Sequence, residues 1–271
     1  VCLVLFEHLV QVPLFERVRG RFHPTAQGLQ LFEEVQRSYY GLDRIINVAR
    51  DIRRFQQAQL SIACLPVFSQ SLLPGVCKPL LDQYPSLSLN VIPQESPLLE
   101  EWLSAQRHDL GLTENTLTPA GTERHTLLTL NEVCVLPAQH RLATHRVLTP
   151  EDFRDEKFIS LSSADSYRQL LDKLFDEAKV ARNLVLETHS AASVCAMVRA
   201  GVGISIVNPL TALDYAASGV VVRPFSIAVP FTVSLIRPLH RPASALVDTF
   251  ITHLTAYTQG VAAQLDAVLK H

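Results

Sequence analysis

The chain has 271 residues, of which 48% are hydrophobic and 18% are charged, so its composition is that of a globular protein and excludes a disordered or fibrous one. The formal net charge of −2 excludes a generally basic, nucleic-acid-coating protein. No apolar run approaches the roughly 18 residues of a membrane span, and the five cysteines fit no zinc or CxxC spacing, so we expect a cytoplasmic protein without a metal or cofactor.

The first informative segment is residues 14–25, where an apolar pair is followed by Arg17, Arg19 and Arg21 and then by a predicted turn. Alternate spacing suits an extended ribbon, so the three guanidinium groups could lie along one edge and contact DNA phosphates. Such an arm normally flanks a helix that reads DNA. Only about a dozen residues precede it, which is too few for a complete helix-turn-helix.

Residues 28–57 predict one long helix, because apolar residues recur there at steps of three and four. Thr25 could cap its start. The apolar stripe is broad, so it requires a partner. The helix could pack on its own domain, or it could pair with the same helix of a second copy.

From residue 59 the pattern changes to alternating strands and helices, which predicts parallel sheets covered by helices. The predicted strands are 60–65, 87–92, 109–112, 132–136, 157–161, 184–187, 202–207, 220–222 and 232–236. The predicted helices are 69–84, 97–106, 166–178, 191–200, 211–217 and 243–257. Two successive series predict two α/β lobes around a cleft. The chain would cross between them at 117–122, and again near 209 or at 226–230.

Polar side chains stand where predicted strands end and helices begin, in both lobes. Ligands of open α/β sheets bind at such edges, against helix N-termini that favour anions. The candidate ligand-binding residues are Ser69, Gln70, Glu95, Ser96, Thr113, Glu114, Ser166, Arg168, Thr188 and His189. The alternative is that they merely cap helices. The repetition in both lobes keeps ligand binding open beside capping.

The charged candidates indicate a type of ligand. Glu95 and Glu114 could pair with ammonium groups, and Arg168 could hold a carboxylate through two hydrogen bonds. An amino acid with several charged groups satisfies all three, although each could also be a surface charge beside a loop. His189, next to two hydroxyl residues, could sense ligand or protonation, but a structural histidine is the favoured interpretation.

The sequence offers no convincing catalytic group. It contains no GxSxG, P-loop or HExxH motif. Gly201-Val202-Gly203-Ile204 lacks a third glycine and leads into a strand, so it is not a dinucleotide fingerprint. Cys64 is predicted to be buried rather than nucleophilic. We therefore expect a binding protein and not an enzyme.

Several segments resemble the LysR-type transcriptional regulators. The end of that family's winged helix-turn-helix is matched by Phe6-Glu7, Leu14-Phe15-Glu16-Arg17, Arg19, Thr25, Gly28 and Leu31. The resemblance continues in Leu65-Pro66-Val67-Phe68-Ser69-Gln70-Ser71, Pro93-Gln94-Glu95-Ser96-Pro97 and Glu187-Thr188-His189-Ser190-Ala191-Ala192-Ser193-Val194. It covers nearly the whole chain from about residue 6 and departs at the start, where the first two DNA-binding helices have no counterpart.

This resemblance implies an organisation for the chain. Residues 1–27 would be a remnant of the winged helix-turn-helix, residues 28–57 a linker and dimerisation helix, and residues 58–271 a two-lobed effector-binding domain resembling a periplasmic binding protein.

The resemblance also implies a function: an activator of lysine-biosynthesis genes that responds to diaminopimelate, with lysine as an antagonist. Its partners would be promoter DNA, the effector, copies of itself in a dimer or tetramer, and RNA polymerase, with no membrane. The alternative expectation is an amino-acid-binding, oligomerising module that has lost DNA binding through truncation.

Overall fold

A computed structural model describes residues 6–7, 9–18, 21–32, 35, 59–242 and 244–270. The chain divides into two compact units, residues 1–57 and 58–271. Most of the predicted helix at 28–57, with its suggested dimerisation role, lies outside the described residues. None of the described helices is long and apolar enough to cross a membrane.

The first unit contains an antiparallel hairpin of β1 (Phe15–Val18) and β2 (Arg21–Pro24). Val18 pairs with Arg21, so the chain reverses between these two residues and not after Arg21. The prediction of one continuous ribbon carrying three alternate arginines was therefore wrong. The reversal was missed because the alternate arginines were given more weight than Gly20, which lies among them and is a residue type that favours turns.

Helical backbone resumes over 26–32. Thr25 accepts a hydrogen bond on Oγ1 from the Gly28 backbone N–H at 3.0 Å, which confirms the predicted cap. A Cβ atom at Gly28 would collide with the carbonyl oxygen of Leu14, so only glycine fits this close approach of two backbones. The Glu7 carboxylate accepts a hydrogen bond from the Leu14 N–H at 2.7 Å, so the backbone of Leu14 is held both by Glu7 and by the contact with Gly28.

The second unit alternates strands with helices, as the sequence predicts. Its strands are β3 (Gln59–Cys64), β4 (Ser88–Pro93), β5 (Leu110–Thr113), β6 (Thr122–Asn131), β7 (Val133–Pro137), β8 (Lys157–Leu161), β9 (Asn183–Thr188), β10 (Ser205–Val207), β11 (Val220–Pro224) and β12 (Pro230–Pro238). Its helices are α1 (Pro66–Ser71), α2 (Leu73–Gln83), α3 (Leu98–Ser104), α4 (Ser166–Glu177), α5 (Ala191–Arg199), α6 (Pro209–Ala216) and α7 (Ala245–Leu269).

The first lobe is built on a five-stranded sheet in the order β4-β3-β5-β12-β6. Strand β3 lies parallel to β4 and β5, whereas β12 is antiparallel to both β5 and β6. Strand β6 was not predicted, because it is an edge strand rich in polar residues and lacks a clear apolar pattern. Its presence makes the predicted crossover at 117–122 wrong: the chain stays in the first sheet to Asn131 and passes to the second lobe at Glu132.

The second lobe repeats this arrangement. Strand β7 lies between β10 and β11, and β8 pairs in parallel with β9. Backbone hydrogen bonds of Ile204 with Ile159 and Lys157 join β8 to the start of β10. The strand order of this lobe is thus β9-β8-β10-β7-β11. As in the first sheet, three parallel strands come first, and the fourth strand is antiparallel to both of its neighbours. The return crossing falls at 225–229, which confirms the predicted site at 226–230 and not the one near 209.

Helix α7 packs on both lobes. Phe250 and Leu254 are buried in the first-lobe core, and Leu265 is buried in the second-lobe core. The predicted end of this helix at 257 was therefore wrong, because the apolar spacing continues through Gly260. The helix gives the two lobes a connection in addition to the two chain crossings.

Candidate functional site

A cavity of about 370 Å³ lies between the two lobes of the second unit. Its first-lobe wall follows the carboxyl ends of the parallel strands and includes Gln70, Glu95 and Glu114. Its second-lobe wall includes Asp165, Tyr167, His189, Ser190, Ala191 and Ala192. Its buried floor includes Glu132, Asn208, Thr211 and Phe231. We call this space the inter-lobe cavity; it occupies the edge at which open α/β sheets bind ligands.

Four of the ten ligand-binding candidates line the inter-lobe cavity: Gln70, Glu95, Glu114 and His189. They come from the ends of different strands, which explains how residues far apart in sequence meet here. Glu95 and His189 are largely exposed at the rim, whereas Glu114 lies deeper.

The polar candidates of the first lobe outside this set are engaged locally. Ser69 donates its hydroxyl hydrogen to the Pro66 carbonyl oxygen at 2.7 Å, within the first turn of α1. Ser96 and Thr113 both donate to Glu100 Oε1, at 2.8 and 3.2 Å. These side chains brace the loops that carry the cavity residues and do not line the cavity.

The second-lobe candidates Ser166 and Thr188 are neighbours in sequence of cavity residues but do not line the cavity themselves. Ser166 is exposed at the start of α4, and Thr188 is half-buried at the end of β9. A role of these two hydroxyl groups in ligand binding therefore stays a prediction that no contact with the cavity supports.

Arg168 is buried inside the second lobe. Its Nε donates to both oxygens of Asp172, at 2.7 and 2.9 Å, and its Nη1 donates to Ser160 Oγ at 2.6 Å and to the Leu161 carbonyl at 3.0 Å. Nη1 also lies 3.4 Å from a carboxylate oxygen of Glu187. The guanidinium group is thus bound by its own lobe and does not line the cavity, so it does not present the carboxylate site expected from sequence.

Six polar residues that line the cavity are not among the ligand-binding candidates predicted from sequence: Glu132, Asp165, Tyr167, Ser190, Asn208 and Thr211. Asp165 caps α4, with its carboxylate accepting hydrogen bonds from the N–H groups of Tyr167 and Arg168 at 2.9 and 3.0 Å. Asn208 caps α6 in the same way. Tyr167 lies two residues after the cap Asp165. Glu132 is a lone acid between two apolar runs, and this is the sequence signal that could have identified it.

The inter-lobe cavity is strongly acidic. Burial raises the pKa of Glu114 to about 8, with smaller contributions from Asp165 and Glu95, while a hydrogen bond from Tyr167 opposes the shift. Burial also raises the pKa of Glu132 well above its usual range, and the pKa of Glu95 is raised as well. No lysine or arginine of the described residues lines the cavity, so it favours a ligand that brings positive charge.

The free energy of unfolding is expected to fall as the pH rises from about 5 to about 8. In this range the native protein keeps the Glu114 proton, because its pKa of about 8 exceeds the usual 4.5, whereas the unfolded chain releases it. One such proton gives a slope of up to about 1.4 kcal/mol per pH unit. Urea denaturation at several pH values should show this slope.

The matched variant for that measurement is Glu114→Gln, which removes one titrating group and should make the profile shallower by up to about 1.4 kcal/mol per pH unit, while the contribution of Glu132 remains. Glu101→Gln, at an exposed position of α3, should leave the profile as it is in the parent chain. Identical pH profiles for the parent and Glu114→Gln would rule out the assigned proton.

The second-lobe wall also offers a place for negative charge. Ser190 caps α5, accepting a hydrogen bond from the Ser193 N–H at 3.5 Å, and the first helical residues Ala191 and Ala192 line the cavity. The amides of a first helical turn have no partners within the helix, and the helix dipole favours an anion there. One cavity thus combines carboxyl groups for cations with a helix start for a carboxylate, which is the charge pattern of an amino acid.

Of the three candidate DNA-binding arginines, Arg17 can be placed completely. It is exposed on β1, and its guanidinium carbon lies 4.7 Å from the centre of the Phe22 ring on β2. Stacking on an aromatic ring restricts the position of the guanidinium group and leaves its positive charge intact. The side chain of Arg21 and all of Arg19 lie outside the described residues.

The sequence has clear relatives. Residues 53–259 match the family described as the LysR substrate binding domain. The chain is 70% identical, over 99% of its length and 86% of the relative's, to the transcriptional activator protein LysR of Escherichia coli. It is 30% identical to the regulatory protein NocR of Agrobacterium tumefaciens, over 90% of this chain and 81% of the relative.

A solved structure shares the fold. HinK, a LysR family transcriptional regulator from Pseudomonas aeruginosa, superposes with a TM-score of 0.61 at 20% identity, covering 94% of this chain and 86% of that one. At that identity the likeness concerns the fold, and it agrees with the two-lobed arrangement described above.

Proposed function

Because this chain belongs to the LysR family of transcriptional regulators, we propose that it activates lysine-biosynthesis genes in response to diaminopimelate. Its second unit is the effector-binding domain of that family, two α/β lobes arranged as in a periplasmic binding protein. Its relatives are regulators and not enzymes.

The observation that supports this effector is the charge pattern of the inter-lobe cavity. Diaminopimelate carries two ammonium groups, which suit carboxyl groups such as Glu95 and Glu114. It also carries carboxylates, one of which suits the start of α5. The 70% identical relative is named a transcriptional activator, which supports activation as the outcome.

Ligand binding can alter transcription only if the effector binds one arrangement of the regulator more tightly than another. The cavity is bounded by both lobes, so a ligand that contacts both walls favours one relative position of the lobes. In a dimer or tetramer on promoter DNA, that preference would change how the DNA is held or how RNA polymerase is contacted. Exposed arginines such as Arg17 would supply phosphate contacts.

The test is fluorescence anisotropy of the purified chain on a labelled promoter of a diaminopimelate decarboxylase gene, at two salt concentrations, with and without diaminopimelate. We expect binding that weakens with salt and changes with diaminopimelate. Arg17→Ala should weaken DNA binding on all sequences without changing effector affinity. Glutarate, a dicarboxylate without ammonium groups, is the control ligand and should have no effect.

Two results would contradict parts of the proposal. Failure of diaminopimelate to bind by calorimetry would remove the proposed effector. Effector binding without DNA binding would support the alternative, an amino-acid-binding module that oligomerises.

A further inference from the structure

Glu132 stands where the chain passes from the first lobe to the second, between β6 and β7. Its backbone N–H donates to the Val229 carbonyl oxygen at 2.8 Å, so the outgoing and returning crossings are joined at this residue. The residue is 3% exposed, yet it lines the inter-lobe cavity. A carboxyl group is therefore fixed at the floor of the cavity, at the junction of the lobes.

The other acids of the cavity have roles that Glu132 lacks. Asp165 caps α4, Glu114 receives a hydrogen bond from Tyr167, and Glu95 is largely exposed to water. Among the described residues, none donates a hydrogen bond to the Glu132 carboxyl group. The carboxyl group reaches the cavity without a donor from the described residues, so a ligand that places an N–H donor there gains a hydrogen bond to an acid.

The groups around Glu132 determine which donor fits. Its charged neighbours are themselves acids, Glu114 and Asp165, and the Cys195 thiol is the titratable group that approaches from α5. The remaining titratable groups of the cavity are Glu95, Tyr167 and His189. No described arginine or lysine lines the cavity to neutralise Glu132, so an ammonium group of the ligand is the complementary partner.

We infer that Glu132 binds the distal ammonium group of the effector and thereby selects diamino acids over monoamino acids. This inference rests on the proposed function, because it concerns the same effector. The carboxylate of the ligand would lie near the start of α5, and its chain would extend to the floor. An ammonium group pairs with an ionised carboxylate. Because burial raises the pKa of Glu132, its carboxyl group holds a proton before the ligand binds and must release it when the ammonium group arrives.

The experiment is calorimetry on the full chain with lysine and with norleucine, which has the same carbon chain without the distal amine. Diaminopimelate is the third ligand. We expect lysine and diaminopimelate to bind at least about tenfold more tightly than norleucine. Titrations in two buffers of different ionisation enthalpy should show more proton release with lysine than with norleucine, whose single ammonium group does not reach Glu132.

Glu132→Gln is the decisive variant, because glutamine keeps the volume of a protonated glutamate and so preserves the fold, which thermal melting verifies. It should reduce the preference for lysine over norleucine to about twofold or less and abolish the difference in proton release between the two ligands. Norleucine should bind it as it binds the parent chain. Glu101→Gln, on the exposed side of α3, is the matched control and should retain the full preference.

The outcomes separate the inference from the proposed function. If the parent chain prefers the diamino ligands and Glu132→Gln keeps that preference, the role of Glu132 is overturned while the proposed effector class stands. If neither diamino ligand binds the parent chain, the proposed function fails, and the inference fails with it.

Discussion

Replacing Arg168 by alanine is expected to lower the free energy of unfolding by about 2 kcal/mol, because it removes a buried guanidinium group that is hydrogen-bonded within its own lobe. The guanidinium group is 8% exposed and binds Asp172 through both carboxylate oxygens, as well as Ser160 and the backbone of Leu161. These contacts join α4 to the end of β8. Their loss would deprive buried Ser160 and the Leu161 carbonyl of this donor, whereas Asp172 keeps its ion pair with Arg182. The effect should appear in urea denaturation as a lower midpoint with an unchanged slope.

Lys173→Ala is the control on the same helix. Lys173 is exposed and approaches Glu177 only at 3.9 Å, so its removal should change stability by less than about 0.5 kcal/mol. Arg168→Ala that folds as stably as the parent chain but loses effector affinity would restore the role expected from sequence, a direct contact with the ligand carboxylate.

The fold was largely predictable because strand and helix periodicity is a local property. Strand β8 was predicted at its observed bounds, and α4 was predicted to within one residue, because apolar residues repeat there with the expected spacing. Strand β6 was missed since an edge strand can be polar on much of its surface and still pair through its backbone. That omission displaced the first crossover and hid Glu132.

The site was predictable at the level of sheet edges but not of individual side chains. Several polar residues follow strands β4 and β5, and only some of them turn toward the cavity. Glu100 explains the difference, because its Oε1 accepts hydrogen bonds from Ser96, Thr113 and Asn115 and directs them away. Since Glu100 lies on α3, no local spacing reveals this competition.

The role of Tyr167 depends even more on tertiary structure. It lies on α4 of the second lobe, and its ring centre is 6.2 Å from that of Phe231 in the first lobe. Its hydroxyl group also faces Glu114 and the backbone of Thr232, both of the first lobe. One side chain thus connects the two walls of the inter-lobe cavity through apolar and polar contacts.

Replacing Tyr167 by alanine is therefore expected to weaken effector binding about thirtyfold. Loss of the half-buried ring removes about 2 kcal/mol of stabilisation from the arrangement in which the lobes enclose the ligand. The apparent affinity falls in proportion to the population of that arrangement. Tyr167→Phe keeps the ring and loses the hydroxyl, so it should bind within about threefold of the parent chain. Calorimetry with diaminopimelate measures both variants, and an alanine variant with parental affinity would show that Tyr167 does not hold the lobes together around the ligand.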